Sequence, residues 1–466
     1  VDSDIPDRIK DGYGLNQHLI DRAHEDGIDT IITCDNGIAA AKEIEYGKAL
    51  GMTIIVTDHH EVPYKENEAG RRYILPPADA VVDPRQEGCE YPFKGLCGAA
   101  VAYKLVEALC EANGQDVADL DYLLENVAIA TVADVMDLTE ENRILVKQGL
   151  EMLKRTSNLG LRALIQCIGL EGKKIQAYHI GFILAPCLNA SGKLDTAKRA
   201  LALLRAKTER EADMLAGDLK ALNESRRDMT DRVVDEAMAK VERTDIRGDK
   251  VLVIYLPDCH ESLAGLVAGR VRENYYRPVF VLTDSEDGVK GSGRSIESYS
   301  MYEELTGCGD LLTKFGGHPM AAGLSLDKEN VEKFKRRLND QCTLSEEELT
   351  EKVVIDMELP FAAITEQFRE ELEYMGPFGK GNTKPVFAAR GVVMQHVKII
   401  GKNKNVAKAT AIDAAGNRME AICFHDAQEF AKQCERNNGK MSITFYPGIN
   451  EFRGERQIQI VITHYR

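Results

Sequence analysis

The run Met52-Thr53-Ile54-Ile55-Val56-Thr57-Asp58-His59-His60 constrains this chain more than any other stretch. Its apolar and β-branched residues stop at an acid and two imidazoles, the pattern of a buried parallel strand whose carboxyl end opens on a crevice. A matching piece lies upstream, where Thr30-Ile31-Ile32-Thr33-Cys34 runs into Asp35-Asn36-Gly37 and a helical pattern over 38–50. Strand, acid, turn, helix, strand, Asp-His-His makes one βαβ unit, and a right-handed crossover sets the two strand ends side by side. Asp35 and His59 are therefore expected to converge. Carboxylate and imidazole together suit manganese, iron or zinc. The plainer reading, a histidine satisfied by packing, is weakened because two histidines stand beside an acid.

At 466 residues the chain is too long for one core and should hold two to four domains. Hydrophobic content of 44% with 29% charged residues is ordinary for a globular chain, and no apolar run approaches the roughly 20 residues of a membrane helix. The formal charge of -16 argues against indiscriminate coating of nucleic acid, so any polyanion site must be locally focused. Without Trp, only Tyr and Phe can stack on bases. Eleven cysteines, with no Cys-x-x-Cys pair, indicate neither a disulfide framework nor a zinc ribbon. With no secretion signal visible, the expected place is the reduced cytoplasm, away from membranes. Residue 1 is Val and the text opens in mid-phrase, which reads as a piece of a longer protein.

Along the chain, a polar loop over 62–77 is expected to rim the crevice, followed by a short strand over 80–82 ending in Asp83-Pro84-Arg85. Helices are expected from 98 to about 113 and over 120–129. Asp134 then enters an apolar setting, where a carboxylate is costly unless paired or ligating; a helix cap or turn is the alternative. Asn189-Ala190-Ser191-Gly192-Lys193 reads as a polar loop beside the crevice. No Pro interrupts 208–243, whose apolar period predicts a connecting helix of roughly 50 Å, or else two shorter core helices.

A second α/β unit begins at 251–255 and carries Gly291-Ser292-Gly293-Arg294-Ser295 and Gly316-Gly317-His318. Read as loops, these offer backbone N–H groups and a guanidinium to a phosphate, unless the Ser and Arg are incidental to Gly-rich turns. Five strands over 391–400, 407–413, 419–424, 441–446 and 457–463, with one helix near 427–434, suit a small OB-like barrel. Lys398, Lys402, Lys404, Lys408, Arg453 and Arg456, with Phe424, Tyr446 and Phe452, would give it a basic, aromatic face for a single strand. Scattered solvated lysines are the alternative.

In combination, the Ile-Pro-Asp-Arg phrase, Asp35-Asn36-Gly37, Asp58-His59-His60, Thr131-Val132-Ala133-Asp134, Leu188-Asn189-Ala190, His260-Glu261, the two Gly-rich segments and the barrel resemble the DHH phosphoesterase superfamily, and within it the RecJ-like single-strand-specific exonucleases. The resemblance covers nearly the whole chain. It implies an α/β fold: a parallel-sheet DHH domain over 1–200, a connecting helix over 201–245, a second α/β DHHA1-type domain over 246–345 and an OB-like barrel over 346–466. It also implies two Mn2+ or Mg2+ ions, with Asp35, His59 and Asp134 as ligands, His60 facing the scissile phosphate and Asp58 orienting the neighbouring imidazole. By the same resemblance Arg8, Ser292 and Arg294 form a 5′-phosphate pocket, and Ser295, Asn189 and His318 line the cleft. The family's first motif, Asp-x-Asp-x-x-Asp-Gly, is absent; Asp2 and Asp4 have part of its spacing but no strand precedes them. This stretch alone is thus expected to hold metal poorly, and its parent to be active.

The expected reaction is two-metal hydrolysis of single-stranded DNA from its 5′ end to 5′-mononucleotides, in DNA repair and recombination, by a monomer working with a helicase and a single-strand-binding protein. Two other readings stay open: a phosphodiesterase of oligoribonucleotides or cyclic dinucleotides, and a non-catalytic single-strand-binding scaffold.

Overall fold

A computed structural model of the chain describes residues 1–6, 14–67, 70–194, 197–401, 403–424, 426–452 and 455–466, with side chains described for all of these except 67, 191–194, 451–452 and 455. The chain divides into two compact units, Val1–Ala185 together with Val353–Arg466, and Pro186–Lys352. Arg8 lies outside the described residues.

In the first unit, strands β1 (Thr30–Cys34), β2 (Thr53–Thr57) and β5 (Ala80–Val82) form a parallel sheet in the order β1-β2-β5. Helices α1 (Gln17–Glu25) and α2 (Ala41–Ala49) accompany this sheet, and Ile20, Ile44, Met52, Ile54 and Val56 bury their apolar faces in one cluster. The β1 and β2 register aligns Cys34 with Thr57, so Asp35 and Asp58 emerge at the same sheet edge. The segment expected as a polar loop over 62–77 instead contains an antiparallel hairpin, β3 (Tyr64–Asn67) against β4 (Gly70–Tyr73). Its alternation was too short and too polar to read as strands.

Helix α3 (Gly98–Ala112) leads through a 3₁₀ segment, Val117–Leu123, into α4 (Leu124–Ala133), which α5 (Glu140–Leu153) covers. Gly149 of α5 lies so close to α4 that a Cβ there would fall 2.2 Å from the Leu124 carbonyl oxygen and 2.4 Å from the Ala128 Cβ. That approach fixes the helix whose C-cap is Asp134. The same unit contains a closed barrel: β12 (Phe387–Ile400), β13 (Val406–Ile412), β14 (Arg418–Cys423), β16 (Glu455–Tyr465) and β15 (Lys440–Phe452) pair in that order, and β15 returns to β12. The helix Ala427–Arg436 interrupts them, as an OB-type barrel requires.

The second unit carries the helix Glu209–Arg243 as one element of 35 residues. Its mixed sheet runs β6 (Leu252–Tyr255), β7 (Val279–Ser285), β8 (Gly288–Arg294), β10 (Ala321–Leu326), β9 (Lys314–His318). Both Gly-rich loops expected from the sequence are strands here. A Cβ on Gly293 would fall 2.5 Å from Met301 Sδ and 2.7 Å from Phe280 Cε1, and one on Gly291 would fall 2.4 Å from Leu282 Cδ2. The glycines admit core side chains to a strand instead of opening a phosphate loop. Asn189 likewise sits on a helix, Ala185–Leu194, where a loop was expected. That helix continues a π-helical turn, Ile180–Leu184.

Gly149→Ala should force α4 and α5 apart. Overpacking of this kind costs about 1–3 kcal/mol, so the first thermal transition is expected to fall by several degrees in differential scanning calorimetry. An unchanged profile would mean that α4 and α5 have room for a methyl group at this crossing.

Candidate metal centre

All three parallel strands end in an aspartate: Asp35 after β1, Asp58 after β2 and Asp83 after β5. Carboxyl ends of parallel strands are where such sheets gather ligands. Asp35 adopts a left-handed backbone conformation (φ 63°), while its N–H donates to the Thr57 carbonyl across the strand end at 3.0 Å. Space for it comes from Gly98, the first residue of α3. A Cβ at that position would lie 2.4 Å from Asp35 Oδ1 and 2.7 Å from its Cα. The N-terminal end of α3 therefore faces the Asp35 carboxylate, an arrangement that favours negative charge.

Asp58 is 1% exposed and saturated with donors. Its Oδ2 accepts from the Ile38 N–H at 3.0 Å, and Oδ1 accepts from the His59 N–H at 2.8 Å and lies 2.7 Å from His60 Nδ1. Burial pushes the carboxyl up, but the His60 hydrogen bond and the Ile38 and His59 amides outweigh it and hold Asp58 below the usual carboxylate range. Conversely, the Asp58 hydrogen bond raises the His60 imidazole above its ordinary value. Asp58 thus orients His60, fixing Nδ1–H inward and leaving Nε2 outward.

His59 is 7% exposed, with Nε2 2.9 Å from Asp35 Oδ1 and 3.5 Å from Asp134 Oδ2. Despite that closeness, Nε2 is buried and makes no hydrogen bond. Two carboxylates face one imidazole nitrogen off the line a donor would need, which is how ligand atoms converge on a shared cation. One ligand atom from each of Asp35, His59 and His60 lies within 4.8 Å of the others. Burial raises the Asp134 carboxyl; the neighbouring Asp35 charge adds to this, while His59 opposes it. The donor set of hard carboxylate oxygen and imidazole nitrogen fits manganese or magnesium-type chemistry, and the orphaned Nε2 is the observation that fits a cation there.

Asp134 caps α4, and Val135 follows it in the left-handed region (φ 55°), with the Met136 N–H returning to the Thr131 carbonyl at 3.1 Å. That is a Schellman-type end with valine where glycine is usual. Further along this loop the Leu138 N–H donates to the Lys380 carbonyl at 2.7 Å. Gly379 and Gly381 allow that approach, since Cβ atoms there would meet Leu138 Cδ1 at 2.7 Å and Asp137 Cβ at 2.9 Å.

Asp83 and Gly98 are the residues that sequence reasoning missed. Asp83 is 3% exposed; its Oδ1 accepts from the Arg85 N–H at 2.8 Å while Oδ2 has no partner. Burial and the Asp58 charge raise its carboxyl. An acid ending the third apolar run and followed by Pro was the available signal. Asp4 ion-pairs with Arg22 on α1.

Within the second unit, Arg294, Ala321 and His318 fall in one row across β8, β10 and β9, and Ser292 lies two residues from Arg294 on the same face. Arg294 Nη1 donates to the Gly293 carbonyl at 2.7 Å and reaches Ser292 Oγ at 3.3 Å. On the helix Glu261–Tyr275, Gly265 leaves the space they fill, because a Cβ would meet Arg294 Nη2 at 2.8 Å and Ser292 Oγ at 2.9 Å. Burial and the nearby Arg272 charge lower the Arg294 pKa, as for a cation with no counter-charge. Ser295 departs from expectation: it is 1% exposed and its hydroxyl donates to the Tyr299 carbonyl at 2.5 Å, so it braces a turn. Asn189 is exposed on its helix.

On the barrel, His396, Lys398, Lys408, Thr410, Arg418 and Gln457 line a groove of about 340 Å³. Lys402 and Arg453 lie outside the described residues, and Lys408 pairs with Glu420.

The "DHH family, N-terminal domain" matches residues 1–131, the "DHHA1 domain" 248–344 and the "RecJ OB domain" 355–464. A Bacillus subtilis protein named single-stranded-DNA-specific exonuclease RecJ is 37% identical over 99% of this chain, which spans 57% of that relative's length. Its Escherichia coli namesake is 33% identical over 99% of this chain and 81% of the relative. Among solved structures, RecJ in complex with Mn2+ from Thermus thermophilus superposes with a TM-score of 0.78 at 26% identity, covering 97% of this chain and 63% of that one. A second, exonuclease RecJ bound to manganese, gives 0.59 at 33% identity over 72% of this chain and 80% of that one. With three matched domains in this order along the chain and a relative 33% identical that it covers to 81%, the chain belongs to the RecJ family of DHH proteins.

Proposed function

We propose that the natural protein is a metal-dependent exonuclease that hydrolyses single-stranded DNA from the 5′ end, releasing 5′-mononucleotides in DNA repair and recombination. The observation that carries this reading is His59 Nε2, buried between the Asp35 and Asp134 carboxylates without a hydrogen bond. Asp35, His59 and Asp134 would hold Mn2+ or Mg2+. Bound there, such ions would bring a water towards ionisation near neutral pH and neutralise the oxygens of an in-line displacement.

The chain's own groups do the rest. Asp58 holds His60 so that Nε2, on a side chain 60% exposed, faces outward towards a phosphate or its attacking water. Arg294 and Ser292 offer a charge-assisted site for a terminal phosphate, with Gly265 keeping the site open. His318, in the same row two strands over, and Asn189 supply further polar groups to the strand. Arg8 would complete this set. Basic side chains of the barrel groove, Lys398 and Arg418 among them, favour a polymeric strand over a dinucleotide. Among the described residues no helix is long and apolar enough to cross a membrane. We place the protein in the cytoplasm as a monomer, with a helicase and a single-strand-binding protein as its partners.

Two outcomes test this. Asp134→Asn in the natural full-length protein should lower Mn2+-dependent release of mononucleotides from 5′-phosphorylated single strands by at least about a hundredfold, while EDTA abolishes the wild-type activity and Mn2+ restores it. Activity that survives EDTA, or preference for a dinucleotide, removes the proposal. Gly98→Ala should push Asp35 off its position and weaken Mn2+ binding by about tenfold or more, read by titration calorimetry. Unaltered affinity would show that Asp35 is not a ligand.

A further inference from the structure

The hairpin β3–β4 leaves the fold directly after Asp58-His59-His60, and its base is closed by the Ile74 N–H donating to the Pro63 carbonyl at 2.7 Å. Its two faces differ. On one, Tyr64 and Tyr73 meet edge-on with ring centroids 6.0 Å apart, Arg71 lies 4.5 Å over the Tyr64 ring, and Arg71 Nε donates to Glu66 Oε1 at 3.3 Å. That face neutralises its own cation and stiffens the ribbon.

On the other face Lys65 stands directly opposite Arg72. Both are exposed, and among the described residues neither meets a carboxylate. Like charges at directly opposed positions destabilise a strand pair, and a lone two-stranded ribbon has little stability to spare. In a chain of net charge -16, two unneutralised cations at one register position form a local exception. An anion seated between them would remove the repulsion and gain two charge-assisted hydrogen bonds. Lys65 is five residues beyond His60, so the extended chain allows at most about 18 Å between them, within reach of the same bound strand.

We infer that Lys65 and Arg72 grip backbone phosphates of the single strand beside the metal centre, making the β3–β4 hairpin part of the substrate site. The inference rests on the nuclease reading above and adds a contact outside its metal ligands and terminal-phosphate pocket. An acidic peptide is the competing occupant, but it lacks the regularly spaced anions of a strand already threaded past His60.

The test is binding of a long fluorescein-labelled oligothymidylate to the natural full-length protein in EDTA, followed by anisotropy across a salt series. The double variant Lys65→Ala/Arg72→Ala should bind at least about fivefold more weakly, and the slope of log affinity against log salt should shrink by about 1.4, at about 0.7 per lost phosphate contact. The charge-keeping pair Lys65→Arg/Arg72→Lys should retain wild-type affinity and slope, which a purely structural role for the hairpin does not predict. Wild-type affinity and slope in the alanine pair would overturn the inference, as would equal loss in both pairs or displacement of the strand by polyglutamate at equal charge concentration. If the wild-type protein itself fails to bind the strand, the nuclease reading fails first and this contact with it.

Discussion

An imidazole nitrogen pressed between two carboxylates without a hydrogen bond is the constraint on which the rest of this structure depends. His59 is buried, and leaving a buried polar atom unpaired costs about 1–3 kcal/mol. Asp35 and Val135 add left-handed backbone on either side of it, a further cost of about 1–3 kcal/mol for each residue so held. A cation present at a thousand times its dissociation constant stabilises by about 4 kcal/mol, which is the size of term needed to offset such costs. Strain and unpaired polarity concentrated at one point are what a site built to hold a cation looks like.

The fold supplies that point by topology and by close approach. Parallel register brings Asp35, Asp58 and Asp83 to one sheet edge, and a single right-handed crossover suffices for the first two. Asp134 arrives from elsewhere, on the C-cap of α4, and is held from two sides: α5 approaches through Gly149, and the turn around Lys380 grips the loop after the cap. Both approaches are possible only where side chains are missing. Asp58 illustrates the same economy, since one buried carboxylate caps four backbone or ring donors and thereby aims His60.

How much of this was legible depends on whether the information was local. The strands Thr30–Cys34 and Thr53–Thr57, and the uninterrupted helix Glu209–Arg243, carry their own periodicity and were readable residue by residue. Asp35, His59 and Asp134 were separately visible as acids or imidazoles at element ends, and the structure brings them together. Gly98 was not legible, because its requirement comes from Asp35, distant in sequence, and no local pattern reports a close approach. Gly291 and Gly293 were misread for a related reason: glycine permits both a loop and a strand against bulky neighbours, and only Phe280, Leu282 and Met301 decide between them. Ser295 resembled its neighbour Ser292 in sequence, yet one hydroxyl serves a backbone carbonyl and the other reaches Arg294.

Anomalous diffraction from crystals of the natural protein grown with Mn2+ would locate the cation relative to His59. An anomalous peak is expected within bonding distance of the Asp35 carboxylate, His59 Nε2 and the Asp134 carboxylate. A structure in which His59 Nε2 donates an ordinary hydrogen bond to Asp35, with manganese bound elsewhere or nowhere, would contradict it.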